Sequence, residues 1–419
     1  MSFASDGASV MLGKLTGVAS RIRERNKCLF ITHCIAHRLA LACNSAEKQV
    51  TFCKHVEYIM KSIYNFFSNS SKRIDALHKY QEILEHPILK IKQIYEIRWL
   101  SWHEAVKNLC LSIEPLMDTL LEIITTTTNK LQRQNFISLY TEICDWKFLA
   151  FLHFLWDILG YLSTLSKIFQ RKKIHISDID PVIELTLNKI QQEFLDFNEE
   201  GRLLLGENLN KFLLNVPSEE NCSIGTHQLM WNEDYESELI LDISSFASAV
   251  ILEIQERFPD RPLLNSMKIF DHTNWPNSRD ELTRYGEEEL NILAEFYGKE
   301  QIIEDNNICE EWFGYKAIVY ANFRNIEIEL LIPKLFEFYY DSFPNIITLL
   351  GIIYSIPFSS VECEHGFSKQ NLIKTDLQNS LNTETLHFLM MVGLEEKNLS
   401  EFDFTRALQI WNGKCKRRI

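Results

Sequence analysis

Apolar positions recur at three- and four-residue spacing along most of the chain, and this pattern predicts long helices. The clearest run from Leu109 to Ile124, Phe136 to Cys144, Trp146 to Phe169, Ile179 to Phe197 and Tyr235 to Phe258, with Ser177 and Asp178 as caps for the fourth. Residues 55–90 read as helical, with Ile59, Ile63, Phe66, Phe67, Ile74, Leu77 and Leu84 in phase. A last helix, Thr383 to Glu395, puts Leu386, Leu389, Met390 and Leu394 on one side, capped by Asn382 or Thr383. The polar stretch Ser218 to Thr226 predicts a mobile loop. Only the first fifty residues break the rule. Ser2 to Ser5 reads as a short strand ended by Asp6-Gly7, and Cys28 to Thr32 as a buried strand. Between them Ala8 to Arg25 is helical, with Val10, Met11, Val18 and Ile22 facing inward and Gly13 and Gly17 weakening it, and a further helix begins near His33.

Composition supports this picture. With 419 residues, 46% apolar, and only 14 Gly and 10 Pro, the chain can bury a large, mostly helical core. Ten cysteines occur without any Cys-x-x-Cys pair, which points to reduced, mostly buried thiols and not to a disulfide framework. No run of about 18 uncharged apolar residues suggests a membrane span, and the N-terminus lacks a signal-peptide pattern. The net charge of −14 is uneven: residues 1–110 carry +7, residues 111–345 carry −21, and the remainder is neutral. Solvated helix faces account for the acidic middle. The basic N-terminal part gives modest support for DNA contact.

Few residues suggest chemistry. In Ile356-Pro-Phe-Ser-Ser-Val-Glu-Cys-Glu-His-Gly-Phe-Ser368, Pro357 stops one helix, while Ser359 or Ser360, with Glu362, can cap the next. Glu364 then shares a face with Val361 and Phe367, which makes it either a satisfied carboxylate at a core edge or a catalytic one. Asp6, at a strand end, is either a turn residue or part of a metal-binding sheet edge. Trp99 and Trp102 suit anchoring of a helix to the core. No Gly-rich phosphate cradle and no nucleophile–base motif is present.

The string Glu364-His-Gly-Phe-Ser368, after a short apolar run and Pro357, resembles the C-terminal signature of hAT-superfamily transposases; His365 stands where that family usually has a basic residue. Ser5-Asp-Gly-Ala-Ser-Val-Met11 is similar to the segment carrying the family's second catalytic aspartate. His33-Cys-Ile-Ala-His-Arg-Leu39 resembles its Cys-x-x-His motif at Cys34 and His37, and Arg98-Trp99 its Arg-Trp motif. The resemblance implies a mainly α protein with a small α/β part: a truncated RNase H-like fold interrupted by a large helical insertion. It implies a partial RNase H-like core over 1–104, the insertion over 105–345, and a hAT C-terminal dimerisation region over 346–419 that includes the last catalytic-position helix. Glu364 matches the last of three catalytic carboxylates and Asp6 the second; the first aspartate and a DNA-binding zinc finger are expected upstream of Met1. Asp6 and Glu364 are therefore expected on one surface patch, within about 10 Å, bordered by Trp99. Arg98 and Trp99 are the expected DNA-contacting residues. Two ligands are too few for structural zinc, so Cys34 and His37 are read as packing and hydrogen-bonding residues. The expected function is non-catalytic: dimerisation, with self or a related chain, through the C-terminal helices, possible DNA contact, a nuclear location, no membrane and no cofactor. The alternative is a component of an active transposase using magnesium at Asp6 and Glu364.

Overall fold

The computed structural model describes residues 2–94, 99–171, 174–199, 201–259, 261–304, 307–375, 378, 380–394, 400 and 402–414, leaving out the side chains of 99–101 and 414. Strand β1 (Ser2–Ser5) pairs in parallel with β2 (Phe30–His33), Ser2 opposite Phe30 and Ser5 opposite His33. Parallel pairing requires a crossover, supplied by α1 (Ser9–Leu12) and α2 (Val18–Arg25). The expected single helix from Ala8 to Arg25 is broken between Gly13 and Gly17. A Cβ on Gly17 would lie 2.6 Å from the Gly13 carbonyl oxygen, so the chain folds on itself where only hydrogen fits. The break changes the helix phase. Ala19 becomes the buried residue of α2, while Val10 is 73% exposed and Val18 also faces outward, contrary to the inward set expected.

Helices α3 (Ile35–Gln49), α4 (Thr51–Ser68) and α5 (Ser71–Ile83) follow, then α6 (Trp99–Cys110), α7 (Ile113–Thr126), α8 (Lys130–Ile143) and α9 (Trp146–Phe169). After α10 (Ile176–Phe194) and α11 (Glu207–Asn215), a hairpin of β3 (Ser223–Ile224) and β4 (His227–Gln228) leads into α12 (Tyr235–Arg257). Helix α9 is apolar on nearly every side, because α3, α6, α8, α10, α11 and α12 all pack on it. It is long and apolar enough to cross a membrane, yet 72% of its most apolar stretch is buried, as befits the central helix of a bundle. Phe154 sets its edge against Phe194 of α10 (5.0 Å between ring centres) and Phe246 of α12 (5.9 Å). Helix α10 starts one turn before the expected caps. Asp178 acts inside the helix, accepting from the His175 N–H at 3.2 Å.

The expected loop at 218–226 is instead tied down. His227, 3% exposed, donates from Nε2 to Asp118 Oδ1 of α7 (3.0 Å) and accepts at Nδ1 from the Tyr140 hydroxyl of α8 (2.8 Å). Each partner loses its match if the ring is replaced. His227→Phe is expected to cost about 2–3 kcal/mol, read as a lower urea midpoint with faster amide exchange at residues 222–230.

The chain continues through α13 (Pro262–Ser266), α14 (Arg279–Arg284), α15 (Glu287–Gly298), α16 (Ile308–Asn322), α17 (Ile328–Phe338) and α18 (Pro344–Tyr354). Lys316 of α16, 2% exposed, donates its ammonium to the Leu282, Thr283 and Tyr285 carbonyls at 2.8, 2.8 and 2.9 Å. These carbonyls belong to the last turn of α14 and the residue after it, so the charge closes a helix end that would otherwise be unsatisfied. Burial pushes this lysine's pKa down, partly offset by Glu287.

Two compact units result, Met1–Ser359 and Ser360–Ile419. The first holds both expected segments 1–104 and 105–345 together with residues 346–359. The second contains α19 (Val361–Ile373), α20 (Thr383–Leu394) and α21 (Phe404–Lys414). The protein is thus mainly helical, with one two-stranded parallel sheet near the N-terminus and one small hairpin among the described residues.

Candidate functional site

In the first unit, Asp6, Cys34 and His37 gather at the C-terminal end of β1 and β2. Asp6 follows β1 and is exposed; its Oδ1 accepts from the Ala8 N–H at 3.1 Å, the geometry of a turn residue. Its carbonyl faces His33 Nε2 at 2.9 Å. Gly7 has φ +85°, and an added Cβ would meet the His33 ring at 2.5 Å, so the turn and the imidazole share one fitted contact. Burial, reinforced by His37 and Arg38, draws the His33 pKa down despite its bond to Asp6. Gly7→Ala is expected to destabilise by about 1–3 kcal/mol. Adding His33→Ala should return part of that loss, since the steric share disappears while the backbone share stays; a thermal-denaturation double-mutant cycle checks this.

Cys34 is fully buried at the position preceding α3. Its N–H donates to the Ser5 carbonyl at 2.8 Å, and its Sγ lies 3.9 Å from Ser359 Oγ. His37, half-buried one turn on, lies with its ring centre 5.5 Å from that of His33. Among the described residues, no three His, Cys, Asp or Glu side chains converge as metal ligands, so magnesium enters only through the family resemblance.

The apolar run of the C-terminal motif now has a physical role. The segment 355–359 returns to the sheet: the Ser355 carbonyl accepts from Ser2 Oγ (3.1 Å), Pro357 from Thr32 Oγ1 (2.6 Å) and Phe358 from the Ile35 N–H (3.0 Å). Ile356 and Phe358 are buried. Pro357 has no N–H to leave unsatisfied there, which suits it to a buried crossing.

In the second unit, Glu362 and Glu364 occupy the first turn of α19, and both are exposed. Their charges suit a helix N-terminus. Glu364 is therefore not the satisfied core-edge carboxylate that one reading of its spacing proposed; only Val361 of α19 is buried. Asn382 caps α20, accepting from the Thr385 N–H at 2.7 Å, and Asp403 caps α21, accepting from Arg406 at 2.8 Å. Helix α19 packs on α20, with Lys369 against Gly393, where a Cβ would collide with the lysine stem.

Helix α20 differs from expectation in an informative way. Leu386 and Met390 are half-buried, as one stripe predicts, but Leu389 and Leu394 of the same stripe are exposed, and Phe388 (59% exposed), Met391 and Val392 (79% exposed) lie on the opposite side. The helix has no fully buried residue, although it is apolar around most of its circumference. Phe367, Leu372, Phe402, Phe404, Ile410 and Trp411 add to the exposed apolar surface of the same unit.

Asp6 thus belongs to the first unit and Glu364 to the second. Arg98 lies outside the described residues; Trp99 opens α6, and its side chain also lies outside them. Trp102 is buried, an anchor of α6 to the core. The basic tail beyond Lys414 lies outside the described residues as well. Sequence reasoning missed the buried ion and hydrogen-bond centres Asp157, His227 and Lys316. Their only advance sign is a polar residue on the apolar phase of a helix, or beside one.

Residues 297–395 match the family model of the hAT family C-terminal dimerisation region. That match takes in α16 to α18 of the first unit as well as α19 and α20, and it agrees with the Glu364-His-Gly-Phe-Ser368 string. Over this region the chain is similar to the hAT family, and the match supports a hAT-family transposase-derived origin.

Proposed function

We propose that the protein works by self-association: a second copy of the chain covers the apolar surface of residues 360–419, and the dimer, not strand cleavage, is the retained activity. The observation that carries this is α20, apolar on opposite sides yet without one buried residue. A helix of that kind is stable when enclosed, and exposed apolar clusters of this size mark association surfaces. The match to a dimerisation region over 297–395 supports the same reading. A twofold pair would bring the same patch from each copy together.

On this reading, the β1–β2 sheet with its following helices is part of an RNase H-like core, and Asp6 and Glu364 are inherited positions without a cleavage role. Arg98 and Trp99 are the proposed residues for any residual DNA contact, in a nuclear protein. Strand cutting of a hairpin-forming transposon end in magnesium or manganese, lost in Asp6→Ala or Glu364→Ala, would contradict it.

The association itself is tested by co-expressing two differently tagged full-length copies. Purification through one tag should bring down the copy that carries the other, and Phe388→Asp with Val392→Asp should abolish this. Burying two new carboxylates at such a surface weakens pairing by roughly a hundredfold or more. Equal co-purification of the variant would show that the pairing surface lies elsewhere.

A further inference from the structure

A cleft of the first unit sits beside β2. Thr32, His33, Arg38, Asp180, Phe258 and Arg261 are among its walls, and its volume is about 30 Å³. This is more than one water molecule requires and too small for a ring. Arg38, in the second turn of α3, lays its guanidinium over the Phe258 ring at 4.4 Å from the centroid. Stacking covers the flat face and leaves the in-plane N–H donors directed sideways.

What those donors lack is an acceptor. Among the described residues, no carboxylate, carbonyl or hydroxyl takes a hydrogen bond from the side chain of Arg38 or of Arg261. Asp260, next to Arg261 in sequence, is outside the described residues. Arg257 nearby is matched, by Ser45 Oγ at 2.8 Å and Glu253 at 3.4 Å. The one described carboxylate of the cleft, Asp180, is taken by the Lys268 ammonium. His33 adds no compensating negative charge. The arrangement therefore sets two guanidinium groups together in a partly buried place, and burial with repulsion from Arg261 and Arg257 draws the Arg38 pKa down to about 10.

We infer that this cleft binds a phosphate-class oxyanion between Arg38 and Arg261. Such an anion accepts several of the free N–H donors at once and removes the repulsion between the two cations; the planar guanidinium fork matches its oxygens. The Phe258 ring holds one fork in place, so little side-chain freedom is lost on binding. The site accepts one phosphate group, which comes either from solution or from a nucleic-acid strand.

Titration calorimetry of the full chain with inorganic phosphate, against chloride at equal ionic strength, tests this. Wild type should bind saturably, and Arg38→Gln and Arg261→Gln should each weaken binding by roughly tenfold or more. A second reading covers poor folding of the Arg38 variant. Without phosphate, Arg261→Gln should unfold at a higher urea concentration than wild type, because one of two repelling charges is gone. A short single-stranded oligonucleotide that competes with phosphate in wild type identifies a strand phosphate as the occupant; phosphate binding without competition identifies a free oxyanion. No saturable phosphate binding, or equal binding in wild type and both variants, overturns the assignment.

Discussion

Asp157→Ala is expected to cost about 3–5 kcal/mol, because it strands three N–H donors that the carboxylate now accepts. The residue sits on the central helix α9 and is buried. Its Oδ1 accepts from the Asn208 N–H (3.0 Å) and the Asn208 amide (2.6 Å), and its Oδ2 from the Leu209 N–H (2.9 Å). These are first-turn donors of α11, so one carboxylate caps a helix from a distance in sequence. Gly206, just before α11, has φ +76°, and a Cβ there would lie 2.6 Å from Asp157 Oδ2. The glycine is required because the carboxylate occupies the space. Asp157→Asn should be much milder, since it keeps one acceptor and the volume. A pH comparison separates charge from shape. Burial holds the Asp157 pKa above the ordinary carboxylate value, and the three N–H bonds only partly offset this. The folded state then binds the proton more tightly than the unfolded one, so this group costs stability as pH rises from the ordinary carboxylate pKa through the raised one. Lowering the pH from 7 to about 4 should favour wild type over Asp157→Asn, with no further gain below that. Urea denaturation at several pH values checks both the size and the sign.

Glu311→Ala should cost about 3 kcal/mol and loosen the segment that feeds the sheet. Buried on α16, Glu311 accepts from the Asn345 N–H (2.8 Å), the Asn345 amide (2.6 Å) and the Ile346 N–H (3.1 Å). Asn345 Oδ1 in turn accepts from the Glu304 N–H at 2.7 Å. Helix α18 therefore starts on a carboxylate borrowed from α16, with Pro344 at its first position needing no donor partner. The same helix delivers Ile356, Pro357 and Phe358 to the end of β2. Limited proteolysis should find new cuts between 343 and 360 in Glu311→Ala and few in Glu311→Gln, which keeps the shape and one acceptor. Unchanged cutting in the alanine variant would mean that α18 is held by its apolar contacts alone.

How much of this was legible beforehand depends on which force sets each feature. Helices such as Trp146–Phe169 and Tyr235–Arg257 were read nearly to the residue, because long apolar periodicity is local information. The two strands were also legible, and so was the hAT character of the Glu364 string, with its dimerisation region. The break at Gly13–Gly17 was not, since it turns on a close backbone approach that periodicity does not encode. Nor was the pinning of the hairpin, where His227 finds Asp118 across 109 positions. The exposure of Val392 and Phe388 was missed for a different reason: the reading followed one stripe, whereas the helix is apolar around most of its circumference. The Arg38–Arg261 pairing rests on two stretches far apart in sequence, brought together by α12 packing on α3.

The central claim is that residues 360–419 are completed by a second copy, and sedimentation equilibrium of the full chain at micromolar concentrations measures it most directly. The account predicts a mass near twice the 49.2 kDa chain, falling to a single chain in the Phe388→Asp, Val392→Asp variant. A wild-type protein that stays at one chain mass throughout that range, with α20 still protected from amide exchange, would contradict it.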